Sequence, residues 1–239
     1  MNCKNCNAEV DTKFCPDCGQ PTSLKRINGH YILHEIEHVL HFERGILFSV
    51  KKLCIYPGQT IRTFIKYDRT RLVKPIIFII VTSLIYTLIS HFFHVDFEYV
   101  KFSGVDNLAV GKILKWNQEH YGYANILTGG FIAFWLNLFQ KKYGYNFFEI
   151  LIMLCYVIGM QMLIFSVFTL INGIFHYKLE AVAGMFGLLY LVWASGAFFG
   201  ENKVANYAKA LASYLLGIAT FYAIIFVVGM VIEFLTNRS

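Results

Sequence analysis

The rear of the chain is a succession of long apolar runs separated by short polar breaks. They cover Ile76–Val95, then about 124–139, 148–171, Ala181–Phe199 and 211–235. A helix needs about 20 largely apolar residues to cross a hydrocarbon layer about 30 Å thick. The second run is the shortest and needs Tyr121 and Tyr123 beside it to reach both interfaces. No proline follows Pro75, so none of these runs is kinked by that route. The pattern predicts five transmembrane helices. A polar loop between the first two carries a short amphipathic segment, KILKWNQEHYGY.

Ahead of the apolar rear the period is helical and two-faced. In HYILHEIEHVLHFER, residues 30–44, Ile32, Leu33, Ile36, Val39 and Leu40 recur at helical spacing. His30, His34, His38 and His41 fall on the other side, within an arc of roughly 80°. Further on, ILFSVKKLCIYPG leads into QTIRTFIKYDRTRLVKP. There Ile61, Phe64, Ile65 and Leu72 form an apolar stripe, and Arg62, Lys66, Arg69, Arg71 and Lys74 surround the single acid Asp68. That pattern predicts a helix lying in the membrane interface against anionic headgroups. Its sharper form is a phosphate site for a lipid headgroup or nucleotide, and its plainer form is charged side chains snorkelling at a membrane entry. Cys54 reads as a small buried residue.

The first twenty residues follow neither period. Cys3-x-x-Cys6 and Cys15-x-x-Cys18 supply four thiolates at the spacing of a tetrahedral zinc site. The second knuckle, CPDCG, has Pro16 to preset φ and Gly19 to accept a positive φ. The first, CKNCN, has the tolerant Asn7 in that place. A closed four-cysteine site is structural, and the metal would supply most of the folding energy of so small a unit. Paired disulfides are the alternative. This stretch lacks an apolar leader core, so the N-terminus is expected to stay in the mature protein.

Composition agrees with the pattern. The chain is 56% hydrophobic and only 15% charged, against about 25% charged in soluble domains. The net charge of +6 is uneven: residues 1–75 carry twelve basic and seven acidic side chains, and the remainder nine and eight. A basic front on an apolar rear suits anionic lipid better than nucleic acid. With the N-terminus inside, sixteen basic residues fall inside and five outside, which predicts an N-in, C-out topology.

The stretch HEIEH also matches H-E-x-x-H. In zinc peptidases two histidines at this spacing hold the metal and the glutamate activates its water. Here those would be His34, His38 and Glu35. A third ligand is then required, and Glu149, at the inner end of a later membrane helix, is the candidate. The competing readings are a structural or regulatory metal on the histidine pair, and a histidine face that meets headgroups, water or a partner and binds no metal.

The string PGQTIRTFIKYDRTRLVKP, preceded by FCPDCGQ and HEIEHVLHFERG, resembles an uncharacterised bacterial family of zinc-ribbon, multi-pass membrane proteins. The resemblance covers the first ninety or so residues. It points to Pro57, Gly58, Arg62, Arg69 and the Lys74-Pro75 pair as characteristic. It implies architecture and assigns no activity.

Within the apolar rear, Ala183/Gly187 and Gly196/Gly200 are small-residue pairs that permit close helix contact, either inside the chain or across a homo-oligomer. Gln161 is the deepest polar residue and is expected to bond between helices. There is no ladder of membrane charges.

The expected architecture is mainly α and integral to a membrane. It comprises a zinc ribbon (1–20), a linker (21–29), amphipathic helices (30–75) and a five-helix transmembrane domain (76–239). The expected function is that of a non-enzymatic bacterial inner-membrane adaptor or regulator whose ribbon meets a cytoplasmic protein. A zinc metallopeptidase and a carrier of lipid or small solutes are the alternatives.

Overall fold

The computed structural model describes residues 9, 11, 15–17, 45–69, 71–93, 109–119, 121–177, 179–200 and 203–236. The chain divides into two compact units, 1–43 and 44–239. In the first, Cys15 is buried and Pro16 and Asp17 form a turn directly after it. The helix expected over residues 30–44 lies outside the described residues.

The second unit is helical. Its elements are α1 (Ile46–Ile55), α2 (Pro57–Lys66), α3 (Pro75–Phe93), α4 (Ala109–Glu119), α5 (Tyr121–Phe139), α6 (Phe147–Phe175), α7 (Glu180–Phe199) and α8 (Val204–Thr236), with a short 3-10 turn at Lys141–Tyr143. No strand occurs among the described residues.

Helix α6 is the hub, with α3, α5, α7 and the α1–α2 hairpin packed around it. Its side chains Met153, Leu154, Tyr156 and Val157 are fully enclosed. By contrast α3 leaves Ile76, Ile80, Leu84, Leu88 and Phe92 exposed, one on each successive turn. Helix α8 does the same with Val227, Val231 and Phe234. Apolar belts this long have no place in water and suit lipid. Four helices, α3, α6, α7 and α8, are long and apolar enough to cross a membrane.

The apolar part of α5, Ala124–Phe139, falls short of that length. Its packing nevertheless carries it through the bundle. Phe78, Tyr86 and Phe93 of α3 meet Gly159, Phe165 and Gly173 of α6 in order, so these two helices run parallel. The chain must therefore return between them. Helix α5 makes that return, antiparallel to α6 through Asn125–Met162 and Gly129–Ile158. It is also antiparallel to α8, through Ile132–Gly217 and Phe139–Lys209.

The small-residue pairs serve contacts within the chain. A β-carbon on Gly187 would strike Phe165, and one on Gly196 would strike Tyr207. Gly200 turns the chain from α7 into α8 at φ +135, a conformation closed to L side chains.

The expectation for α2 needs correction. Its stripe Ile61, Phe64 and Ile65, together with Leu72 and Val73, is buried in the core against α6 and α7. An apolar stripe has the same spacing whether it faces lipid or protein, so the period alone could not choose between them. Cys54 is likewise exposed on α1, not buried.

Candidate functional site

The basic residues of the second unit collect at one end of the bundle, around the α1–α2 hairpin. Pro57 occupies the first turn of α2, where its missing N–H costs nothing. Gly58 follows, and a β-carbon there would lie 2.5 Å from the backbone carbonyl of Ala197. Only glycine lets α2 sit directly on the end of α7. One turn later the Arg62 guanidinium donates to the carbonyls of Ala197 and Phe198. Those carbonyls belong to the last turn of α7, which carries the negative end of the helix dipole; Ala197 O also accepts from Gly200 N at 3.3 Å. Three residues of the P-G-x-x-x-R string thus dock one helix end onto another.

Two buried tyrosines and a serine complete the attachment. The hydroxyl of Tyr156 donates to Val73 O at 2.7 Å and that of Tyr190 to Leu53 O at 3.1 Å. Ser49 Oγ accepts from Val73 N at 3.1 Å and donates to Gly45 O at 2.6 Å. Val73 N, Val73 O and Leu53 O are thereby paired, while Gly45 O also accepts from Ser49 N at 2.8 Å.

Of the five residues expected to meet headgroups, Arg62 is turned inward and the other four are exposed. Arg69 Nη2 donates to Ile65 O at 3.2 Å and closes the end of α2. Arg71 pairs with Asp68 at 2.9 Å. The Lys66 ammonium stands 5.2 Å over the Tyr145 ring. Sequence reasoning missed Lys52. It joins Arg71, Gln59, Thr60 and Thr63 around a cleft of about 360 Å³ between α1 and α2, walled by Phe48 and Tyr56. Asp68, paired with Arg71, also lines it, so the cleft offers cations, hydroxyls and aromatic walls beside one carboxylate. The charged pair in FSVKKLC, inside an otherwise apolar run, was the available signal.

The same end is completed by the α5–α6 turn and the start of α8. Tyr143 OH and Asn206 share hydrogen bonds of 2.8 and 3.0 Å, and Asn206 Nδ2 also donates to Gly200 O at 3.1 Å. Lys209 Nζ donates to Phe139 O at 3.0 Å, at the end of α5. Desolvation alone would raise the Tyr143 phenol. The Asn206 hydrogen bond and the charges of Lys142 and Lys203 outweigh it and hold the group below its ordinary value. Eleven described cations cluster at this end: Lys51, Lys52, Arg62, Lys66, Arg69, Arg71, Lys74, Lys141, Lys142, Lys203 and Lys209. The opposite end has Lys112 and Lys115, with Glu180 and Glu233.

Glu149 sits in a capping box. Its Oε2 accepts from Asn146 N at 2.9 Å, and Asn146 Oδ1 accepts from Glu149 N at 2.9 Å. The carboxylate expected as a third zinc ligand is engaged in starting α6. His34, Glu35, His38, Cys3, Cys6 and Cys18 lie outside the described residues. Cys15, buried ahead of a proline turn, fits a thiolate knuckle. Among the described residues no three of His, Cys, Asp and Glu converge.

A second feature lies deeper. A cavity of about 300 Å³ opens between α4, α5, α6, α7 and α8. Gln161, expected to bond between helices, lies on its wall together with Tyr214.

The model of a family described as a protein of unknown function (DUF3667) matches residues 43–87. The match spans the hairpin and the first two-thirds of α3, including Pro57, Gly58, Arg62 and Arg69, and stops short of the four-cysteine segment. No curated protein and no solved structure matches the chain.

Proposed function

We propose that this chain is a non-enzymatic protein of the bacterial inner membrane that anchors a cytoplasmic zinc ribbon and presents it to a cytoplasmic protein. In this reading Cys3, Cys6, Cys15 and Cys18 hold one structural zinc. The basic end faces the cytoplasm and anionic headgroups, and the C-terminus lies outside. The observation that carries the reading is the Gly58–Arg62 clamp. It makes the hairpin, which follows the four-cysteine segment in the chain, a fixed part of the bundle. The one-sided cations support the orientation, because basic residues are retained on the cytoplasmic side. Glu149 has a structural role that needs no metal, since its Oε2 closes the capping box that starts α6.

Elemental analysis of the purified chain tests the proposal. The expected content is about one zinc per chain, as one four-ligand site requires. It should vanish when the four cysteines become serine and persist when His34 and His38 become alanine. Zinc that survives the cysteine changes and leaves with the histidines would move the reading to a metallopeptidase with Glu35 as base. For the adaptor role, a photoreactive residue at Lys13 should give a discrete protein adduct in cells that the four-serine variant loses. An adduct unaffected by that variant would separate partner binding from the ribbon.

A further inference from the structure

The cavity inside the bundle is lined by Asn117 of α4, Asn125 and Thr128 of α5, Gln161 of α6, and Tyr214 and Tyr222 of α8, with apolar side chains between them. Among the described residues no charged side chain lines it. Some of these groups already have partners in the chain: Asn125 Nδ2 donates to Met162 Sδ at 3.2 Å and Thr128 Oγ1 to Ala124 O at 2.8 Å. A few polar groups set in an apolar wall are the usual make-up of a pocket that orients a small ligand. The absence of charge on the wall disfavours an ion, which would leave water with no counter-charge. Toward the basic end the pocket is closed. Leu136, Met153, Ala194 and Ala210 are buried there in one contiguous core. The space is therefore a pocket with a floor and not a path across the bundle.

We propose that this cavity is a binding site for a small uncharged amphiphile, an apolar body carrying a hydroxyl-type head. The head bonds to the carboxamides of Gln161 and Asn125 and to the Tyr214 hydroxyl, and the body lies against the isoleucine and phenylalanine wall. At about 300 Å³ the space is at the lower end of ligand pockets, which suits a chain of modest length and not a whole diacyl lipid. The inference does not depend on the ribbon or its metal.

A diazirine-bearing octanol is the probe. The full chain is purified in detergent, illuminated with the probe and mapped by mass spectrometry. Label is expected on the segments 124–132, 158–165 and 214–222, and excess octanol should suppress it at least fivefold. Thr128→Trp, which fills the space, should lower the label by a similar factor. Gln161→Leu keeps the volume but removes the polar anchor. It should weaken competition by octanol while leaving competition by octane intact, and this readout stands if the tryptophan variant does not fold. Label that octanol does not displace, or label confined to exposed positions such as Phe134 and Val227, would overturn the proposal. So would octanol competition in Gln161→Leu equal to that of the parent chain.

Discussion

Gly58 and Arg62 act through the same two residues of α7, and their substitutions should fail for different reasons. Gly58→Ala places a methyl within 2.5 Å of a backbone carbonyl, which no side-chain rotation relieves. Overpacking of this kind costs about 1–3 kcal/mol. A melting curve in detergent should fall clearly, whereas Gly130→Ala, with nothing within 4 Å, should hold or rise slightly. Arg62→Ala removes charge-assisted bonds worth about 1.5–3 kcal/mol. Arg62→Lys should recover only part of that loss, because an ammonium lacks the planar fork that reaches two carbonyls. Equal stability of Arg62→Ala and the parent chain would contradict the clamp. Glu149→Gln preserves the capping box and should leave both stability and zinc content unchanged, while Asn146→Ala should cost about 1 kcal/mol. At Tyr143 the folded phenol lies below its unfolded value, so any charge-linked stabilisation appears only above the unfolded value, in alkali, and is lost as pH falls through the folded one. What Tyr143→Phe removes at neutral pH is the hydrogen bond to the buried Asn206. The chemistry-bearing strings were visible in the sequence, but their uses were not. Arg62 reads as one more cation in a basic run until α7 is brought beside it.

At the scale of elements, α2 and α4 are amphipathic pieces among the described residues, and each meets a protein surface. Helix α2 is enclosed through Ile61, Phe64 and Ile65. Helix α4 sets Val110 against Gly229, where a β-carbon would come within 2.3 Å of the valine, and its first N–H, at Ala109, donates to Glu233 Oε2 at 3.0 Å. A carboxylate at a helix N-terminus complements the dipole. Glu233→Ala should therefore loosen α4 alone, and hydrogen exchange should quicken over 109–117 while α6 stays protected. Uniform quickening across the bundle would contradict this local role. The apolar runs mapped onto α3 and α5–α8 almost directly, because length and hydropathy are properties of one segment. The docking of α2 and the polar cavity were not legible. They depend on residues more than a hundred positions apart, as with Arg62 and Ala197 or Asn117 and Tyr222.

For the whole molecule, the parallel pairing of α3 with α6 and the return through α5 place the basic end and the end of α8 at opposite ends of the bundle. In the proposed topology these two ends lie on opposite sides of the membrane. Single cysteines at Lys142 and Lys203, at the basic end, and at Lys115 and Thr236, at the other, read this directly. Labelling is measured with a membrane-impermeant maleimide on intact and permeabilised cells, as label gained over the parent chain. Lys142→Cys and Lys203→Cys should react only after permeabilisation, and Lys115→Cys and Thr236→Cys in intact cells. Reaction of Lys142→Cys and Thr236→Cys from the same side would contradict the five-crossing bundle, and reaction of Lys142→Cys in intact cells would contradict the cytoplasmic basic face.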